Sequence, residues 1–274
     1  MCDEYELFEF LESDFNESRM ANKKKRLRNR ENNDPFDLDE NAFIKEYRFF
    51  NKFGIPGVIG CIDCTHVRIV RPNEHEDRYF CRKKFHSLNV QLICDADQQI
   101  LSVDASHPGS FHDSFIWSHH PVRYHLENLG SEATWLLGDS GYSQRRTMIP
   151  ILDAEPDTPE AYYTQKHVKA RNVIERTKGL LKARFRCLLC HRVLHYQPQV
   201  AGFITNACVI LHNICNENNL PEVRLTEEEQ AREVAQQPPV EALHEPAGQH
   251  NIELQRGIST RRDLVARLWA FRRT

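Results

Sequence analysis

The chain has 274 residues, 40% of them hydrophobic, and a formal net charge of -3, enough for one large domain or two small ones with a substantial core. That balance excludes a globally basic chain steered to nucleic acid by net charge alone, and without a long apolar run no membrane-spanning helix is expected. Nine cysteines, behind an acidic N-terminus with no secretory signal, predict a soluble protein of a reducing compartment with mostly free thiols.

Residues 1–22 are acidic with scattered aromatics (Tyr5, Phe8, Phe10, Phe15), and Lys23-Lys24-Lys25-Arg26-Leu27-Arg28-Asn29-Arg30 follows. Residues 1–33 read as a flexible segment whose basic run is either an import signal, a phosphate-binding patch or a solvated linker. A capped helical pattern from Asp34-Pro35 to Phe50 carries Phe36, Leu38, Phe43, Ile44 and Tyr47 and stops at Gly54-Ile55-Pro56-Gly57. Residues 34–53 are therefore a separate helical piece.

The run Val58 to Val70 is too apolar and β-branched for anything but a central strand or strand pair. Ser87–Cys94 and Gln99–Ala105 predict two strands joined by the polar turn Asp95-Ala96-Asp97-Gln98, as in an antiparallel hairpin. After the loop Ser106–Ser110, helical spacing is expected around Phe111–Trp117 and Pro121–Leu129. The apolar run Trp135-Leu136-Leu137 reads as a short buried strand ending in Gly138-Asp139-Ser140-Gly141, and Met148–Leu152 as another short strand. Two longer helices follow, over about Pro159–Phe185 and Pro198–Asn219. This order suits an α/β layer fold with a mixed sheet. Residues 220–258, rich in Glu, Gln, Pro and Ala, lack the apolar surface to offset ordering entropy and read as disordered or loosely helical. Helical spacing returns in 259–274 through Leu264, Val265, Leu268 and Trp269, a basic amphipathic helix.

Asp139, at the tip of a buried strand, either caps the following turn through its side chain or stands beside other carboxylates to bind a hard cation. Asp63 lies inside the first apolar strand, where a charge seldom stands unless paired or metal-bound. Glu175, amid Arg171, Arg176 and Lys178, has a plain reading as an exposed i,i+4 partner. Asp113 opens a helical turn, where the helix dipole alone would favour it. Two strand-borne aspartates and a helical glutamate are nevertheless what two-metal phosphodiester chemistry requires, with carboxylates holding cations about 3.5–4 Å apart. Magnesium favours such oxygen ligands.

Four motifs, in order, resemble the PIF/Harbinger DDE transposases: Gly60-Cys61-Ile62-Asp63-Cys64-Thr65-His66, Pro108-Gly109-Ser110-Phe111-His112-Asp113-Ser114, Leu137-Gly138-Asp139-Ser140-Gly141-Tyr142 and Ile174-Glu175-Arg176. Asn206–Cys215 resembles that family's closing helix. The resemblance implies an RNase H-like DDE endonuclease domain over 54–219, with Asp63 and Asp139 on adjacent strands and Glu175 on the helix above them as catalytic residues. It implies that these three, with Asp113 as a fourth acid, hold a divalent metal cation, Mg²⁺ or Mn²⁺. It further implies DNA as substrate, a Myb/SANT-like partner protein, and residence in nucleus and cytoplasm. In the family a longer helical region with a helix-turn-helix precedes the catalytic strand; here Tyr47–Lys52 leads almost directly into Gly54, as in a shortened form.

Between Lys166 and Arg192 there are nine Lys or Arg against the single acid Glu175, an excess able to neutralise a DNA backbone. Arg82, Lys83, Lys84, Arg171, Arg176, Lys178 and Lys182 are the expected DNA contacts, with Tyr79, Phe80 and Phe85 near the first three for stacking. The pairs Cys61-x-x-Cys64 and Cys187-x-x-Cys190 have zinc-site spacing, but the first lies inside an apolar strand, where buried thiols are the simpler reading. The expected function is a transposase-derived, metal-dependent nuclease without autonomous transposition activity. The alternative is a catalytically inactive DNA- or protein-binding module.

Overall fold

The computed structural model describes residues 38–127, 134–235 and 252–272, so the basic run of residues 23–30 and the segment 236–251 lie outside the described residues. The chain forms two units, residues 1–41 and 42–274. Of the first, only the opening turn of α1 (Leu38–Phe53) is described; the rest concerns the second.

Five strands make one sheet: β1 (Val58–Arg68), β2 (Ser87–Cys94), β3 (Ile100–Pro108), β4 (Trp135–Leu137) and β5 (Thr147–Met148), in the order β3-β2-β1-β4-β5. β1, β2 and β3 pair antiparallel, and β4 and β5 add on in parallel. This is the mixed α/β sheet that the sequence predicts. Of the run Val58 to Val70, residues 58–68 form one long strand, not a pair, flanked by β2 on one edge and β4 on the other. β2 is buried along its whole length, which explains why Ser87–Cys94 lacks an alternating pattern. The β2–β3 turn is pinned by Asp95, whose Oδ1 accepts from the amides of Asp97 (2.8 Å) and Gln99 (3.0 Å), while Gln98 takes a left-handed φ of 63°. The strand expected over Met148–Leu152 is displaced to Thr147–Met148, since β4 offers only three residues to pair.

Short helices α2 (Glu76–Tyr79), α3 (Asp113–His119) and α4 (Pro121–Glu127) connect the strands. The long α5 (Pro159–Arg184) starts sharply: Thr158 Oγ1 accepts from Ala161 N at 3.2 Å and Pro159 occupies the first turn. α5 crosses β1, β2 and β4, burying Ala170, Val173, Ile174 and Leu181 against Val58, Cys61, Leu92 and Leu137. α6 (Pro198–Glu217) packs on β3; Asn213 brackets the Ile100 backbone, its Oδ1 accepting from Ile100 N (2.9 Å) and its Nδ2 donating to Ile100 O (2.8 Å).

Two helices lie toward the C-terminal side. α8 (Ile252–Phe271) starts earlier than its sequence pattern suggests and buries Leu264, Val265 and Leu268 in the core. Gly257 makes the approach possible, because a Cβ there would sit 2.6 Å from the Gln144 carbonyl oxygen. α7 (Glu227–Ala235) falls in the segment expected to be disordered or loosely helical. It is capped by a reciprocal box in which Glu229 N donates to Thr226 Oγ1 (3.2 Å) and Thr226 N to a Glu229 oxygen (3.1 Å).

Candidate active site

The parallel register between β1 and β4 fixes the site. Cys61 lies opposite Leu137, and Asp63 and Asp139 each follow two residues later. Equal offsets along neighbouring parallel strands bring the two carboxylates side by side, and in β1 the two-residue step keeps Asp63 on the face of Cys61. That face looks at α5, since Cys61 Sγ approaches the Ala170 carbonyl at 3.7 Å. Gly138 lets the chain turn off β4 tightly: a Cβ there would meet Thr147 and Tyr142 side-chain atoms at 2.7 and 2.9 Å.

Both aspartates divide their oxygens between two tasks. Asp63 Oδ1 accepts from its neighbour's amide, Cys64 N, at 2.8 Å, and Asp139 Oδ1 accepts from Gly141 N at 2.9 Å. The turn-cap reading of Asp139 is thus correct for one oxygen. The Oδ2 atoms face a common centre on α5. Arg171 Nη2 lies 2.8 Å from Asp63 Oδ2, 3.2 Å from Glu175 Oε1 and 3.7 Å from Asp139 Oδ2. Lys178 Nζ completes the cluster at 2.7 Å from Asp63 Oδ2 and 2.9 Å from Glu175 Oε2. Glu175 is therefore both an i,i+4 partner of Arg171 and a wall of the aspartate site.

The electrostatics follow from burial and crowding. Burial pushes Asp63 up, but Lys178 and Arg171 outweigh it and hold the carboxyl at about 2. Asp139 is pushed up to about 6, by burial first and then by the charge on Asp63. Glu175 is raised by burial, with Lys178 opposing. Lys178 itself is driven higher despite its burial, because Asp63 and Glu175 both stabilise its charge.

Asp113 stands apart from the two cations. Asn89 Nδ2, on β2, donates both to Asp113 Oδ1 and to the Phe111 carbonyl, each at 2.9 Å. Burial raises the Asp113 carboxyl, with Asn89 opposing and Asp63 contributing. Asn89 and Gln91 carry buried amide oxygens with no partner among the described residues. Asn89 as the group positioning Asp113 is not legible in the sequence, since a single polar residue in a strand has no distinguishing pattern.

Not all expected DNA contacts face outward. Arg82, Lys84 and Arg176 are exposed and Lys83 half-buried, whereas Lys178 and Lys182 are buried. Arg171 and Lys178 point onto the acids, and Lys182 Nζ binds Glu233 Oε2 at 2.7 Å. The overlooked signal is spacing: Arg171, Glu175, Lys178 and Lys182 lie at i, i+4, i+7 and i+11 beside the buried Ala170, Ile174 and Leu181, so this stripe meets the sheet.

Three carboxylates already gathered around one cationic nitrogen are a chemically suitable donor set for a hard divalent cation. Among the described residues, however, no group of three or more His, Cys, Asp or Glu side chains stands in ligating geometry, because Arg171 and Lys178 fill the space between the acids. The cysteines described are all free thiols, and among the described residues they form no group of three or more metal-ligating side chains. No helix among the described residues is long and apolar enough to cross a membrane.

Residues 62–213, more than half the chain, match the family model described as DDE superfamily endonuclease. The chain is 38% identical over 174 residues to "Putative nuclease HARBI1" of Bos taurus, covering 63% of this chain and 50% of that one. It is 36% identical over 189 residues to the Rattus norvegicus protein of the same name (68% and 54%), and 36% identical over 174 residues to that of Homo sapiens (63% and 50%). It thus spans about half the length of these relatives. No solved structure matches it significantly. These matches bear out the resemblance to the Harbinger group, and the RNase H-like fold goes with them. Matched from β1 to α6, with every acid of the site inside the match, the chain belongs to the DDE superfamily of endonucleases.

Proposed function

We propose that the chain is a transposase-derived nuclease that hydrolyses DNA phosphodiester bonds with a divalent cation, Mg²⁺ or Mn²⁺, and that it has no autonomous transposition activity. The observation that carries this is the convergence of Asp63, Asp139 and Glu175 within 3.7 Å of the single nitrogen Arg171 Nη2. These three, through the oxygens they now turn toward Arg171 and Lys178, with Asp113 as fourth acid, would hold the metal. The bound cations supply charge neutralisation at the phosphate and an activated water. The chain's own contribution is placement: the β1–β4 register sets the aspartates side by side, the Cys64 and Gly141 amides fix their planes, and α5 brings Glu175 over them. Arg171 and Lys178 hold Asp63 ionised in the free protein. Arg82, Lys83, Lys84 and Arg176 contact the DNA backbone, and DNA targeting uses a Myb/SANT-like partner, consistent with residence in both nucleus and cytoplasm. Residues 54–219 carry the nuclease domain in this reading.

A supercoiled-plasmid nicking assay tests it. Wild type converts plasmid to open circle in Mg²⁺ or Mn²⁺ and Asp139→Asn does not, a loss of roughly a hundredfold or more if the acid holds a metal. Equal nicking by both chains would sink the proposal. One observation favours a second reading, a catalytically inactive DNA- or protein-binding module: Asp63 and Glu175 are already neutralised by Arg171 and Lys178 without any metal.

A further inference from the structure

α7 is acidic, with Glu227, Glu228, Glu229 and Glu233 against the single Arg232, and it is docked by charged and polar contacts. Arg186 grips Glu229 with both terminal nitrogens, Nη2 to Oε2 and Nη1 to Oε1 at 3.2 Å each. Glu233 is buried; its Oε2 takes the Lys182 ammonium at 2.7 Å and its Oε1 the Cys190 amide at 2.6 Å. Lys83 Nζ donates to the Ala235 carbonyl, the last of the helix, at 3.0 Å.

Each of these receptors is one that binds phosphate. A forked guanidinium on two oxygens of one anion is the geometry by which arginine takes a carboxylate or a phosphate. A lysine ammonium joined by a backbone N–H makes an anion pocket that reads charge and not sequence. The strip also leads to the candidate active site, for Lys182 lies one turn along α5 from Lys178, which binds Asp63 and Glu175. A nine-residue helix with so little apolar surface has small intrinsic stability, so its docking depends on these anion-to-cation contacts.

From this we infer that Lys83, Lys182, Arg186 and the Cys190 amide form a phosphate-binding strip for the DNA backbone, and that α7 occupies it in the free protein as an internal phosphate mimic. DNA and α7 compete for the same donors, and DNA binding releases the helix. The inference rests on the DNA-acting reading above and adds to it the path of the substrate backbone and a restraint on its entry.

Two measurements test it on the full chain. Hydrogen–deuterium exchange of residues 226–235 is followed with and without a labelled duplex; the competition predicts faster exchange in α7 when DNA is bound. In parallel, fluorescence anisotropy compares wild type with Glu229→Gln at one fixed salt concentration. Gln keeps the capping box with Thr226 while removing the charge facing Arg186, so the variant binds the duplex roughly two- to fivefold more tightly, the scale of one partly exposed ion pair. Unchanged or slower exchange of α7 in a chain that does bind DNA would overturn the competition while leaving the nuclease reading intact. An affinity for Glu229→Gln equal to or below that of wild type would overturn it too. Failure of both chains to bind duplex at any salt would remove the DNA-acting reading, and this inference with it.

Discussion

Asp139 is held in a position that costs stability. Its carboxyl, 13% exposed, is pushed up to about 6 by burial and the charge of Asp63, so keeping it ionised at pH 7.5 opposes folding by up to about 3 kcal/mol. Asp139→Asn keeps an oxygen for the Gly141 amide and removes the charge, so it should abolish nicking yet raise the free energy of unfolding by about 1–3 kcal/mol in metal-free buffer. Urea unfolding monitored by tryptophan fluorescence measures this; a destabilised variant would contradict the electrostatic account. His167 works in the opposite direction. Beneath β5, its Nε2 bonds the Met148 carbonyl at 2.9 Å, and burial, foremost, pushes the imidazole down to about 4. Between pH 6.5 and 4 the unfolded chain takes up a proton that the folded chain refuses, so stability falls as pH drops through that window. The loss levels off below about pH 4 at roughly 3 kcal/mol. In His167→Gln the slope of unfolding free energy against pH should be shallower than in wild type by about one proton.

At the scale of elements, β1, β2, β3 and α5 were legible because their apolar runs and caps are long, and the acids were legible because charge inside such runs is rare. Asp63 and Asp139 could be placed on adjacent strands only through a resemblance, since nothing local encodes the Cys61–Leu137 register. Glu175 was ambiguous for a physical reason: the same i,i+4 and i,i+3 cations that mark a solvated helix here turn inward with it. α7 read as disordered or loosely helical because its anchors are Glu229 and Glu233, and a charged anchor carries no hydrophobic period. α8 is the reverse case, apolar at Leu264, Val265 and Leu268 and dependent on one glycine for its seat. Gly257→Ala would place a methyl against the Gln144 carbonyl and the Arg145 backbone at 2.6–2.9 Å. It should lower stability by about 1–3 kcal/mol and speed proteolysis within α8. Wild-type melting and digestion patterns would show that the contact is not tight.

Across the whole molecule, a net charge near neutrality conceals paired opposites: Asp63 within β1 and Asp139 just past β4 under the cations of α5, and an acidic α7 over Lys83, Lys182 and Arg186. Both arrangements give the free protein internal counter-ions where the proposed function needs metal and phosphate. The chain spans about half of its named relatives, yet strands β2 to β5, α5 and every acid of the site lie within the matched residues. The central claim is that these acids exchange Arg171 and Lys178 for a divalent cation, and isothermal titration of the purified chain with Mn²⁺ tests it most directly. Wild type should bind Mn²⁺ stoichiometrically and Asp139→Asn at least about tenfold more weakly, the scale of losing a metal-site group. No binding by wild type, or identical isotherms for both chains, would contradict it and leave the inactive binding module as the better description.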